Sequence, residues 1–226
     1  MLNIIYEDAK ILVCHKPAGL AVQNASFGKK DLESMVRNYL AEQSGRAVPY
    51  LGVIHRLDQP VQGVTVFAKD NKSAASLSAQ VQDGRMKKYY LAVTDGIPEK
   101  EEAELVHYLK KDGRTNTSSV VDKNVTGAKR ANLRYRVIQT VADKEQALLE
   151  IELFTGRHHQ IRVQMANIGC PIWGDSKYNT APIQDRRFRQ IALCAYRLEF
   201  EHPKTKEKMK FEIEPKGEGF HLLRES

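Results

Sequence analysis

The chain has 226 residues, 42% hydrophobic and 28% charged, a globular balance that excludes whole-chain disorder and allows one sizeable domain or two small lobes sharing a core. Lys and Arg outnumber Asp and Glu by 35 to 28, a formal charge of +7 that favours polyanionic partners without naming one. No stretch approaches the roughly 20 apolar residues of a membrane helix, and the start shows no signal peptide. Cys14, Cys170 and Cys194 are too scattered for a disulfide framework or a zinc site. Free thiols in a cytoplasmic protein are the expectation.

Short apolar runs come first. Ile4-Ile5-Tyr6 and Ile11-Leu12-Val13 read as strands, the second ending at the turn Lys16-Pro17-Ala18-Gly19. From Asp31 the period changes: Leu32, Met35, Val36, Tyr39 and Leu40 share a helical face, Asp31 can cap the first turn, and Gly45 is a stop. Residues 63–68 (GVTVFA) are β-branched and aromatic, hence a strand. Residues 71–82 read as a helix with Ala74, Leu77 and Val81 inward and Gly84 near its end, and residues 89–93 as another strand. Residues 110–130, with four lysines and two arginines but little periodicity, predict a mobile loop or a hairpin. Residues 133–138 and 147–154 are strands; in the second, Leu149, Ile151 and Leu153 alternate with Glu150 and Glu152, which suits a sheet with one wet face. A helix follows the Thr155-Gly156 turn and runs to about Ile168, stopped by Gly169. Residues 191–200 and 208–213 are strands joined by His202-Pro203-Lys204-Thr205-Lys206. Strands dominate and no repeat or linker interrupts them. The expected architecture is one domain over residues 1–226, of α+β class: a mixed, largely antiparallel central β-sheet with flanking helices and loops, not regular βαβ winding.

The sharpest constellation is His55-Arg56-Leu57-Asp58, followed by Gln59-Pro60-Val61-Gln62-Gly63 and a strand. A carboxylate there lies on a Pro- and Gly-containing loop beside a rigid element, held in place yet accessible. An isolated Arg-Leu-Asp more often organises a turn, so the surroundings carry the argument. The run HRLDQPVQGVTVFAKD resembles the catalytic motif of the RluA family of RNA pseudouridine synthases: His-Arg-Leu-Asp, two variable residues, usually Thr-Ser, then Gly, an apolar strand and Ala-Lys. Four further runs resemble the family in the expected order over about 200 residues. IIYEDAKILVCHKPAGLAVQ is similar to its opening strand pair and Lys-Pro-Ala-Gly turn, and KKYYLAV to its Lys-x-Tyr-x-Ala element. TGRHHQIRVQMANIGCPIWGDSKY is similar to its third motif, and LCAYRLEFEHPKTKE to its closing strand and turn. Val61-Gln62 stands where Thr-Ser is usual, and Gln164 where a His commonly follows Ile-Arg-Val; both bear on loop geometry and target choice. The S4-like RNA-binding module that often precedes this domain is not expected, because the opening strand begins at about Asn3.

The resemblance implies an isomerase that converts uridine in ribosomal or transfer RNA to pseudouridine with no cofactor and no metal. The C1′–N1 bond breaks, the base turns, and C1′ joins C5, so nothing is oxidised and no group enters or leaves. The sequence accordingly has no Gly-rich phosphate loop and no Cys/His cluster of ligand spacing. By the family pattern Asp58 is the nucleophile, Arg162 pairs with it, and Tyr90 lies against the target base. His55, Arg56, Leu57, Lys88 and Arg157 are the expected substrate-binding residues. A carboxylate can attack the sugar carbon or remove a C2′ proton to form a glycal, and both routes stay open. Burial would raise the Asp58 pKa and an adjacent guanidinium would oppose the rise. Arg56 is a candidate to fill the gap left by a flipped nucleotide, flipping being needed because the reacting atoms cannot rearrange inside a stack. Residues 110–130 are a candidate RNA-contacting segment.

RNA is the expected partner of a monomeric protein, with no membrane and no metal. Two other readings compete. A non-catalytic RNA-binding or RNA-chaperone protein on the same fold is opposed by intact Asp58, Tyr90 and Arg162. A metal-dependent hydrolase built on His158 and His159 is opposed by their adjacency, which on a helix points them about 100° apart, and by the want of a third ligand.

Overall fold

In chain order the elements are β1 (Asn3–Glu7), β2 (Ile11–Lys16), α1 (Leu32–Ser44), β3 (Gly52–Val53), β4 (Gln62–Ala68), α2 (Asn71–Gln82), β5 (Lys87–Asp95), β6 (Glu102–Asp112) and β7 (Thr117–Val121). They continue as β8 (Lys129–Val141), β9 (Gln146–Leu153), α3 (Gln160–Asn167), β10 (Leu193–Glu201) and β11 (Lys208–Glu212). These come from a computed structural model that describes residues 2–23, 30–45, 48–179 and 190–223. Their contacts group into two units, one of residues up to Lys88 with 195–214, the other of residues 89–194 with the stretch from Pro215.

In the first unit β1, β2 and β4 lie side by side and antiparallel, β3 also pairs with β4, and β10 lies beyond β4 with β11 on it. Every residue of β4 is buried. Val64, Val66 and Ala68 pack with Ile11, Val13, Leu198 and Leu77 of α2, while Phe67, Leu12 and Cys14 are buried on the alternate positions. A strand covered on both faces reads as an unbroken apolar run, which is why GVTVFA carries no alternation. Each such Val or Leu contributes about 1.5–3 kcal/mol on burial. The expected helix bounds hold because both ends are capped. The Asp31 carboxylate accepts from Ser34 N and that of Asp70 from Ser73 N, each at 2.8 Å, and Gly45 closes α1 at φ 65°. Such caps contribute about 1 kcal/mol apiece. The expected inner face of α2 is present: Leu77 is buried and Ala74 and Val81 pack against the same core, with Ser73 and Gln80 buried beside them. Gln80 is held there by its amide, which both donates to Glu201 O and accepts from Glu201 N at 2.8 Å, serving the end of β10 as a strand neighbour would. Gly63 is required by close approach, since a Cβ there would lie 2.7 Å from Ala195 O.

In the second unit the order is β5-β9-β8-β6-β7, antiparallel throughout. The wet face expected of β9 is present: Arg134 faces Glu152 at 2.7 Å and Arg136 faces Glu150 at 3.4 Å across the β8–β9 register. Residues 110–130 are a hairpin rather than a loop, with Lys110 opposite Ser119 and β8 starting at Lys129. Strand β6 has no counterpart among the expected elements, although Ala103, Leu105, His107 and Leu109 alternate with more exposed positions. Helix α3 starts later than expected, at Gln160. The Gln160 side chain explains this: its Oε1 accepts from Thr155 Oγ1 (2.7 Å) and Arg157 N (3.0 Å), and its Nε2 donates to Asn132 O (3.1 Å), so residues 155–159 are tied as a turn. Val163 then packs on Leu109 and Ala131, seating α3 on β6 and β8. The α+β class and largely antiparallel pairing agree with the sequence reading.

Candidate active site

The loop between β3 and β4 carries His55 to Asp58, and its shape is set by backbone bonds. Val61 N donates to Asp58 O at 3.0 Å, while Gly19 N donates to Gln59 O (2.9 Å) and Gln59 Nε2 returns to Gly19 O (3.0 Å). The Lys-Pro-Ala-Gly turn and the His55–Asp58 loop therefore brace each other. Between them sits Lys16, fully buried. Its ammonium donates to Pro17 O (3.0 Å), Leu20 O (2.6 Å) and Gln59 O (3.0 Å), one acceptor for each of its hydrogens. Burial pushes the Lys16 pKa down to about 8, and the negative charge of Asp58 opposes the fall. Asp58 thus faces a cation that the sequence reading did not single out as functional.

The expected substrate-binding residues of this unit have distinct surroundings. Arg56 is exposed and Leu57 is 7% exposed. His55 accepts from Val66 N through Nε2 at 3.3 Å, and burial, with the nearby Lys88 charge, pushes its pKa down to about 3. It is a neutral imidazole fixed to β4. Lys88 is partly buried, and that burial lowers its pKa too.

Arg162 and Tyr90 belong to the second unit. Tyr90 is 6% exposed on β5, opposite Ile151. Arg162, the third residue of α3, is 3% exposed and forms a two-pronged ion pair with Asp175: Nε to Oδ2 and Nη2 to Oδ1, both 2.7 Å. Fork-to-carboxylate geometry of this kind fixes a guanidinium in direction as well as place. Asp175 Oδ1 also accepts from Lys177 N (2.9 Å) and Tyr178 N (3.2 Å), and the guanidinium lies 5.1 Å from the centre of the Tyr178 ring. Arg157 is exposed, its Nε donating to Arg130 O at 2.8 Å. Gln164, where a His is usual, is buried and donates to Leu105 O and meets His107 Nδ1, both at 3.0 Å, which docks α3 on β6.

The two adjacent histidines are stacked on each other. Their rings are 3.7 Å apart, His158 Nδ1 meets Ser118 Oγ at 2.9 Å, and His159 Nδ1 meets the Tyr178 hydroxyl at 2.7 Å. Among the described residues no group of three or more His, Cys, Asp or Glu could hold a metal. Burial, then the Arg162 charge, pushes the His159 pKa down to about 3. Lys16, Asp175 and Tyr178 are the residues that sequence reasoning missed. The one signal for Lys16 was a lysine ending an apolar strand before Pro-Ala-Gly. For Asp175 it was a carboxylate after Trp173-Gly174, with Tyr178 three residues on.

Comparison with known proteins points one way. The family model described as RNA pseudouridylate synthase matches residues 10–167. An uncharacterised RNA pseudouridine synthase of Aquifex aeolicus is 32% identical over 221 residues, covering 94% of this chain and 69% of that protein. The ribosomal large subunit pseudouridine synthase D of Zymomonas mobilis is 32% identical over 224 residues, with the same shares covered. The solved structure of human RNA pseudouridylate synthase domain containing 4 superposes with a TM-score of 0.81 at 23% identity, over 98% of this chain and 92% of that one, and shows the fold alone. A family model spanning more than half the chain, joined by relatives of this identity, bears out the kinship the motifs suggested: the chain belongs to the RNA pseudouridylate synthase family, RluA type, isomerases of uridine in RNA.

Proposed function

We propose that this enzyme converts a specific uridine of ribosomal RNA to pseudouridine, with Asp58 as the nucleophile. One observation carries the reading: Asp58 lies on a loop pinned by backbone bonds, beside the buried cation Lys16. A neighbouring cation favours the ionised carboxylate that either route, attack at C1′ or removal of the C2′ proton, requires. Arg162, charged at every accessible pH and held by Asp175, supplies a fixed positive charge to the reaction. Tyr90 offers a ring to the flipped base, Arg56 is exposed to enter the vacated stack, and His55, Leu57, Lys88 and Arg157 contact the RNA. Transfer RNA is the other substrate class the chemistry accepts; the name of the Zymomonas relative favours ribosomal RNA. The same reading takes residues 1–226 as one catalytic domain working as a cytoplasmic monomer, without metal or membrane. The family match across 10–167 draws on both units, and no helix among the described residues is long and apolar enough to cross a membrane.

The test is to delete the gene, treat total RNA with a carbodiimide that marks pseudouridine, and map reverse-transcription stops. A stop that vanishes on deletion, returns with the wild-type protein and stays absent with Asp58→Ala supports the reading. A stop restored equally by Asp58→Ala sinks it.

A further inference from the structure

Around Arg162 the polar groups come from three places: α3, the 175–179 segment and strand β7. Tyr178 touches all three. Its ring lies against the Arg162 guanidinium at 5.1 Å, and its backbone N–H holds Asp175 Oδ1, the oxygen that also receives Arg162 Nη2. Its hydroxyl accepts from Ser118 N of β7 at 2.8 Å and bonds to His159 Nδ1, at the start of α3, at 2.7 Å. The neighbouring contacts run the same way. His158, stacked on His159, reaches Ser118 Oγ, and Lys177 Nζ donates to Asn116 O in the hairpin turn at 2.7 Å. Packing alone would need only the ring. A hydroxyl bonded on two sides, with Ser118 7% exposed and His159 7% exposed, is a joint whose loss takes a hydrogen bond from each of two buried polar groups. The hairpin joined here carries Lys110, Lys111 and Arg114, all exposed and suited to RNA phosphates.

We propose that Tyr178 is a positioning residue of the isomerisation: it fixes Arg162 against the β6–β7 hairpin, so that RNA gripped by the hairpin arrives in register with the arginine. The proposal rests on the reading that Arg162 serves the reaction. The hydroxyl sets the hairpin end of this joint and the ring sets the guanidinium end, so the two can be separated by substitution. Tyr178→Phe keeps the ring and removes both hydroxyl bonds; Tyr178→Leu removes the ring as well.

The experiment measures single-turnover pseudouridine formation at saturating RNA, on a transcript that the wild-type enzyme modifies, with filter-binding affinity and melting temperature for each variant. Tyr178→Phe is expected to form product roughly 10-fold or more slowly, because sub-ångström to ångström misplacement of a charged group costs that much. RNA affinity should stay within about 3-fold of wild type, since the hairpin cations remain. Tyr178→Leu is expected to be slower still. A Tyr178→Phe enzyme with the wild-type rate per folded molecule overturns the proposal, as does one that loses affinity while keeping its saturated rate. Arg162→Met separates the two failures. An inactive Arg162→Met beside a fully active Tyr178→Phe removes only this inference, whereas a fully active Arg162→Met removes the role of Arg162 and this inference with it.

Discussion

The loop at 54–61 and the segment at 155–179 each hold a cation for the proposed chemistry, and they hold it by different means. Lys16 gives its three hydrogens to neutral carbonyls, and the Asp58 charge only partly offsets its burial, so its pKa falls to about 8. Arg162 is matched by a full opposite charge in fork geometry, on a group that does not titrate near neutrality. The first arrangement makes a cation that pH can switch off; the second makes one that stays charged and is directed by the Asp175 carboxylate. A backbone cage and an ion pair are thus different solutions to burying charge, and they fail differently.

Four experiments break or sharpen that contrast, the largest effect first. Asp58→Asn removes the charge that Lys16 faces, and turnover should fall by at least about a thousandfold, the scale seen when a nucleophile is lost. Filter binding should show RNA affinity nearly unchanged, since phosphate contacts dominate it. A variant that still forms pseudouridine at a rate comparable to the wild type would remove Asp58 from the mechanism.

Asp175→Ala removes the carboxylate that holds the buried Arg162 guanidinium in fork geometry, which should destabilise the fold by about 3–5 kcal/mol. The double variant Arg162→Met, Asp175→Leu should recover most of that stability and none of the activity. Urea midpoints and turnover measured together decide it. Equal stability of the single and double variants would mean the pair is not what holds this segment.

The third experiment uses pH. Lys16 holds its proton at about 8 in the fold against 10.5 for an ordinary lysine. Between those values the unfolded chain binds more protons, so this group makes folding stability rise with pH across that window, by about 3 kcal/mol in all. Comparing urea denaturation of wild type and Lys16→Met across the window isolates the term. Parallel stability curves would show that Lys16 is not the buried, protonated group described above.

The smallest effect belongs to the wet face of the second unit. Arg134 pairs with Glu152 at 2.7 Å, yet its side chain is half exposed. Exposed pairs contribute about 0–1 kcal/mol, so Arg134→Ala should shift the urea midpoint barely, and less in high salt. A loss as large as that of Asp175→Ala would show that the charge ladder stabilises the sheet as a network.

What was legible in the sequence was what is decided within a few residues. Asp31 and Asp70 cap their helices through bonds to the third residue on, so α2 was readable over 71–82 without any tertiary contact. Alternation along β9 announced its wet face, and the His55–Asp58 motif announced the nucleophile candidate. Strand β6 escaped because its alternation is blurred by Val106 and Tyr108 among the charges. The start of α3 escaped because a Gln160 side chain, not a backbone signal, ends the preceding turn.

The sequence by itself determined the caps, the periodicities, the order of motifs and the family to which the chain belongs. Only the tertiary structure decided where the charges rest. Lys16 meets the carbonyl of Gln59, 43 residues away, Arg162 meets Asp175, 13 away, and Tyr178 meets Ser118, 60 away. Helix caps are local hydrogen bonds that a short peptide already contains. The burial of a charge is settled by which distant groups arrive to replace its water, and that is known only once the chain has packed.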